Sequence, residues 1–89
     1  MVLKFSGQFN RDIAHRSRKL SDEIQQAILN LKNASQISQI QNLVKLRKYE
    51  VHYRIQVAKD YRIGVMIRGE KIWIMRFGHR NLFYKKIFP

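Results

Sequence analysis

From residue 52 onward apolar and polar positions alternate, the period of a β-strand with one buried face. In 52–58 the apolar residues Tyr53, Ile55 and Val57 fall on odd numbers and leave His52, Arg54 and Gln56 opposite. In 61–68 Tyr61, Ile63, Val65 and Ile67 are again odd, with Arg62, Gly64, Met66 and Arg68 opposite. Two odd-numbered sets share a face only across a connection with an odd number of residues, and Ala58-Lys59-Asp60 supplies three. In 71–77 the apolar Ile72 and Ile74 are even, which requires an even connection; Gly69-Glu70 supplies two, with glycine where a tight hairpin turn favours it. Both hairpins therefore agree on a single buried face. The same parity puts Trp73, Met75 and Phe77 with Arg54 and Arg62. Either the third strand is central and covered on both sides, or these side chains floor a basic groove where bases stack or a partner helix docks.

The N-terminal half changes period. Val2, Leu3 and Phe5 read as a short strand ended by Ser6-Gly7, and Ser6 is placed to cap a helix with Phe9 and Ile13 on its apolar side. Ser21 followed by Asp22 and Glu23 predicts the start of a second helix, with acids in the first turn where the helix dipole favours them. Ile24, Ala27, Ile28 and Leu31 behind it keep the spacing of a buried helical face. From Asn33 to Asn42 the chain reads as a connector with a loose turn at Ile37 and Ile40. The predicted fold is α+β: a short N-terminal strand, a two-helix hairpin, then an antiparallel three-stranded meander with the helices on one sheet face, as one domain spanning 1–89.

Composition narrows the function classes. The 89 residues contain no cysteine, which excludes disulfides and thiolate metal sites, and His15, His52 and His79 match no metal-ligand spacing. No metal or other cofactor is therefore expected. No apolar run approaches the roughly 20 residues of a membrane span, so a soluble, cytoplasmic protein without a membrane partner is expected. The net charge of +12, from 18 Lys and Arg against 6 Asp and Glu, predicts attraction to a polyanion or an acidic protein. Lys45, Arg47 and Lys48 form a basic patch leading into the sheet, and Lys85 and Lys86 make the tail basic.

The residues at the C-terminal end are those that metal-free RNA cleavage needs: cations for the pentavalent phosphate and groups that move protons to and from it. Arg62 and Arg80 offer bidentate charge for phosphate oxygens. His79 and Tyr84 can stack on a base or relay a proton, and His52 shares the polar face.

The order of elements, the stretches Tyr53-Arg54-Ile55 and Asp60-Tyr61-Arg62-Ile63, and Gly78-His79-Arg80 with Tyr84 four residues on resemble the RelE/ParE superfamily of bacterial toxins over essentially the whole chain. The resemblance implies a toxin of a type II toxin–antitoxin system with a cognate antitoxin, touching DNA only through the antitoxin complex. In the RelE branch it implies a ribosome-dependent endoribonuclease acting on mRNA at the ribosome, and in the ParE branch a non-enzymatic inhibitor of gyrase. Carried over to this chain, the resemblance makes Arg54, Arg62, His79, Arg80 and Tyr84 the catalytic set. Lys45, Arg47, Lys48, His52, Gln56, Arg68, Phe77, Lys85 and Lys86 are the expected RNA-contacting residues. Arg54 and Gln56 stand where well-known ribosome-dependent members have lysines. Arginine holds its proton, so the general base falls to His79, His52 or Glu50.

Overall fold

The predicted hairpins set the frame of the sheet. In the computed structural model, which describes residues 1–89, β3 (His52–Val57), β4 (Tyr61–Arg68) and β5 (Lys71–His79) form an antiparallel meander. Its turns have the lengths that parity requires. Ala58 and Lys59 adopt left-handed φ of 48° and 65° in the first, and Gly69 has φ 61° in the second. A positive φ at the first turn position alone is the II′ geometry, whose twist matches that of the flanking strands.

Two further strands widen this meander. β1 (Val2–Phe5) pairs in parallel with β5, and β2 (Leu43–Lys45) pairs antiparallel with β3, giving the order β1-β5-β4-β3-β2. The strand β2 was not expected: three residues are too few to show alternation, and they fall between the connector ending at Asn42 and the basic patch that begins with Lys45.

The helices α1 (Gly7–Ile13) and α2 (Arg18–Asn33) cover one face. Phe9, Ile24 and Leu31 close over Ile55, Ile63, Val65, Ile72 and Ile74 in the main core. Each such side chain, fully removed from water, contributes about 1.5–3 kcal/mol. Ser6 caps α1 as expected, its Oγ accepting from the Phe9 amide at 2.9 Å. The start of α2 differs from expectation. Ser17, not Ser21, is the cap, accepting from the Leu20 amide at 3.2 Å. Asp22 and Glu23 then fall in the second turn, where Asp22 lies 3.9 Å from Arg18 one turn back. The connector holds one 3₁₀ turn, Ile37–Gln39, and buries Ile40.

The largest departure is a β-bulge. The β4–β5 register passes from Gly64↔Arg76 to Val65↔Ile74, leaving Met75 as the extra residue. A bulge shifts parity by one beyond it. Phe77 therefore faces the core, opposite Ile63 and 1% exposed, instead of sharing a face with Arg54 and Arg62. Arg76 takes the open face in its place, across from Gly64. The extra residue's backbone is satisfied from the N-terminal segment. Ser6 Oγ donates to the Met75 carbonyl at 2.6 Å, and the Phe77 amide donates to Asp12 Oδ2 at 2.9 Å.

The tail is a structural layer. After β5 come a single turn of helix, α3 (Arg80–Leu82), and a wider π-helical turn, Phe83–Ile87, closed by the Phe88 amide donating to the Phe83 carbonyl at 2.9 Å. This segment folds back over the open face. Phe88 lies on Gly64 and Ile87 on Gly78, and any Cβ at either glycine would collide with them. Phe83 and Phe88 are buried, with ring centroids 5.7 Å apart.

Candidate active site

Of the expected catalytic residues, Arg62, His79 and Arg80 lie at the β3–β4 turn end of the sheet, around its end and not on one face, while Arg54 is one row in and Tyr84 is on the tail. Arg62 lies on the open face between Gln56 of β3 and Gly78 of β5. Its Nη1 donates to the carbonyls of Lys59 and Tyr61, both at 2.9 Å, while Nε is buried without a partner. The fork is thus held in a fixed orientation by backbone, with Nη2 unengaged.

His79 is on the helix side, opposite Tyr61, because the bulge reverses its parity. Its ring meets Tyr61 edge-on at 5.2 Å. His79 also caps α3, with Nδ1 accepting from the Asn81 amide at 3.2 Å. A neutral imidazole whose Nδ1 accepts carries its hydrogen on Nε2. As placed, His79 is therefore a hydrogen-bond donor toward solvent, and it takes up a proton at Nδ1 only by breaking the cap.

Arg80 leaves the end of the sheet. Its amide donates to the Asp60 carbonyl at 2.8 Å, and its Nε lies 3.5 Å from the Asp60 carboxylate, with the side chain 55% exposed. Asp60 thus fixes the Arg80 backbone and lies beside its exposed guanidinium. Tyr84 is exposed on the tail, its ring edge-on to Phe83 at 5.2 Å.

The other expected residues spread outward from this end. Arg54 is half-buried in the next row of the open face, opposite Gly64 and hence beside Phe88. His52 lies a row further, at about 3.3 Å per residue roughly 13 Å from Gln56. Its ring sits between Tyr49 and Phe88 at 5.0 and 5.5 Å, with a buried Nδ1 that has no partner. Arg68 is at the opposite hairpin, roughly 20 Å from Arg62 by the same rise. Lys45, Arg47 and Lys48 are exposed along the β2 edge, as are Lys85 and Lys86 on the tail. Phe77 is removed from any RNA-contacting role by its burial. Glu50, exposed in the β2–β3 connection, precedes β3 and shares none of these contacts.

Three residues around the site were missed in the sequence. Arg76 binds Asp12 with Nε–Oδ2 at 2.8 Å and Nη2–Oδ1 at 3.2 Å, and reaches the Ile87 carbonyl at 3.3 Å. It therefore ties α1, the bulge and the tail together. Arg16 lies over the Tyr61 and Phe77 rings at 5.7 and 5.2 Å, and those rings are stacked within 2° of parallel. A signal for Arg76 was present: a cation at an even position, where Ile72 and Ile74 had set an apolar series. The largest cavity, about 470 Å³ between α2 and β3, is away from this chemistry; Gln56 is the one expected site residue in its wall.

No helix is long and apolar enough to cross a membrane. The chain is similar to proteins that are already known. Toxin RelE3 of Methanocaldococcus jannaschii is 28% identical over 85 residues, covering 94% of this chain and 96% of that one. The structure of the RelB-RelE antitoxin-toxin complex from Methanococcus jannaschii matches with a TM-score of 0.76 at 28% identity, over 90% of this chain and 93% of that one. YafQ from the E. coli DinJ-YafQ complex shares the fold, with a TM-score of 0.62 at 14% identity over 92% and 96% of the two chains. A family profile described as "ParE toxin of type II toxin-antitoxin system, parDE" matches residues 3–81, and the chain thus belongs to that family of type II toxins within the RelE/ParE superfamily.

Proposed function

We propose that this toxin is a ribosome-dependent endoribonuclease that cuts mRNA by attack of a 2′-hydroxyl on the adjacent phosphate. The observation that carries this reading is the placement of two arginines at one end of the sheet. Arg62 is fixed by the carbonyls of Lys59 and Tyr61, and the exposed Arg80 lies beside Asp60. A cation held in place before the reaction costs no reorganisation when charge builds on the phosphate. His79, with Nε2–H outward, donates to a phosphate oxygen in its capped form, and Tyr84 offers a ring for stacking beside the cut. Proton removal from the 2′-hydroxyl falls to His79 once its cap opens.

The partner is a cognate antitoxin. Relatives of this fold are solved as RelB-RelE and DinJ-YafQ complexes, and this chain leaves an apolar groove between β1 and α2. Leu3, Phe5, Ile28 and Leu29 line it, with Lys32 at its rim. An antitoxin segment with apolar residues for the groove and acids for the cations meets both needs.

In a reconstituted translation reaction, labelled mRNA should be cut inside the translated region, and the same RNA without ribosomes left intact. The ParE description of the matching family favours a second reading, inhibition of gyrase by docking. Intact mRNA together with blocked supercoiling would establish that reading instead.

A further inference from the structure

The tail covers Gly64 and Gly78 and its Phe88 ring reaches His52 at 5.5 Å; further along the open face Trp73 is half-buried and Lys4, Arg68 and Lys71 are exposed. The register there sets His52, Met66, Trp73 and Lys4 in one row across four strands. Lys71 precedes Trp73 by two residues on the same face, and Arg68 is opposite Lys71. None of Lys4, Arg68 and Lys71 takes part in an ion pair. Trp73 is half-buried and forms, with Val51, Met66, Arg68 and Met75, a hollow of about 180 Å³. That is below the roughly 300 Å³ of a small-molecule pocket, and suits one planar ring laid on the indole.

We propose that Trp73, ringed by Lys4, Arg68 and Lys71, is a base-stacking platform for single-stranded RNA, separate from the cleavage end. The proposal rests on the reading of this toxin as one that acts on RNA. Free cations around an aromatic face are the combination that holds an unpaired strand, with phosphates on the cations and a base on the ring.

The chain has one tryptophan, so its emission reports on this platform alone. Titration of the full chain with a short 2′-O-methyl oligoadenylate, which lacks the hydroxyl needed for cleavage, should quench that emission saturably. An abasic strand of the same length should not. By anisotropy of a labelled strand, Trp73→Leu should weaken binding about five- to 150-fold. Arg68→Ala, at an exposed position, should lower the slope of log affinity against log salt by about 0.7. Arg62→Ala should keep the quench. Binding without a change in emission, equal quenching by the abasic strand, or quenching by an acidic peptide but not by the oligoadenylate would overturn the platform. Cleavage without a quench would do so too while leaving the ribonuclease reading standing. A quench without cleavage would support the platform and count against the ribonuclease.

Discussion

Asp12 grips Arg76 through both carboxylate oxygens, at 2.8 and 3.2 Å, across 64 positions of sequence. The same carboxylate accepts the Phe77 amide, so a residue of α1 stabilises the bulge that decides which face His79 takes. Asp12→Ala should cost about 1.5–3 kcal/mol, the range for hydrogen bonds to a charged group, read as a shift in the denaturation midpoint. Arg76→Ala should cost a similar amount, and the double variant less than the two summed, because each single change leaves the other partner unsatisfied.

The two arginines at the cleavage end should dominate turnover. Arg62→Ala and Arg80→Ala should each lower mRNA cleavage by about 10²–10³-fold, the usual cost of one oriented transition-state group. Arg68→Ala, at the far hairpin, should weaken RNA binding while cleavage at saturating RNA stays near normal. Equal loss of maximal rate in Arg68→Ala and Arg62→Ala, with both variants folded, would place the site elsewhere.

His79 both caps α3 and faces the site, and a substitution can separate these roles. Asparagine is a good cap and has no imidazole. His79→Asn should therefore keep the melting temperature and lose activity, whereas His79→Ala should lose both. Full activity in His79→Asn would reduce His79 to its cap.

Gly64 leaves room for the Phe88 ring, and a methyl group there would strike it. Gly64→Ala should lift the tail from the sheet, costing about 1–3 kcal/mol as an overpacked site. It should also raise hydrogen exchange from Phe83 to Phe88 more than in β4. Unchanged exchange in the tail would show that the ring moves aside without releasing the segment.

The meander was legible because its turns had to satisfy parity: three residues at 58–60 and two at 69–70 fix the faces of β3 and β4 without any other information. The bulge was not, because its cause is tertiary. Ser6 and Asp12 supply the partners for Met75 and Phe77, and no window around residue 75 contains them. Arg76 breaking an apolar series was the local trace of it. The start of α2 was misread because Asp22 and Glu23 imitate a first turn, whereas Ser17 caps with no acid behind it. The tail was read as basic from Lys85 and Lys86. The spacing of Phe83, Ile87 and Phe88 carried the burial that the charges concealed. Of the site, Arg62 and Arg80 share the β3–β4 turn end of the sheet, Arg62 opposite Gly78 and Arg80 directly after β5, whereas Tyr84 lies out on the tail. The positions of His79 and Phe77 depended on the bulge and were reversed with it.

Primer extension on transcripts after induction of the free toxin reads out whether the Arg62–Arg80 end of the sheet cleaves translated mRNA. New 5′ ends should appear within translated regions soon after induction, and should be absent on induction of Arg62→Ala or Arg80→Ala. Full-length transcripts in growth-arrested cells, with plasmid supercoiling lost, would contradict it and assign the toxin to gyrase.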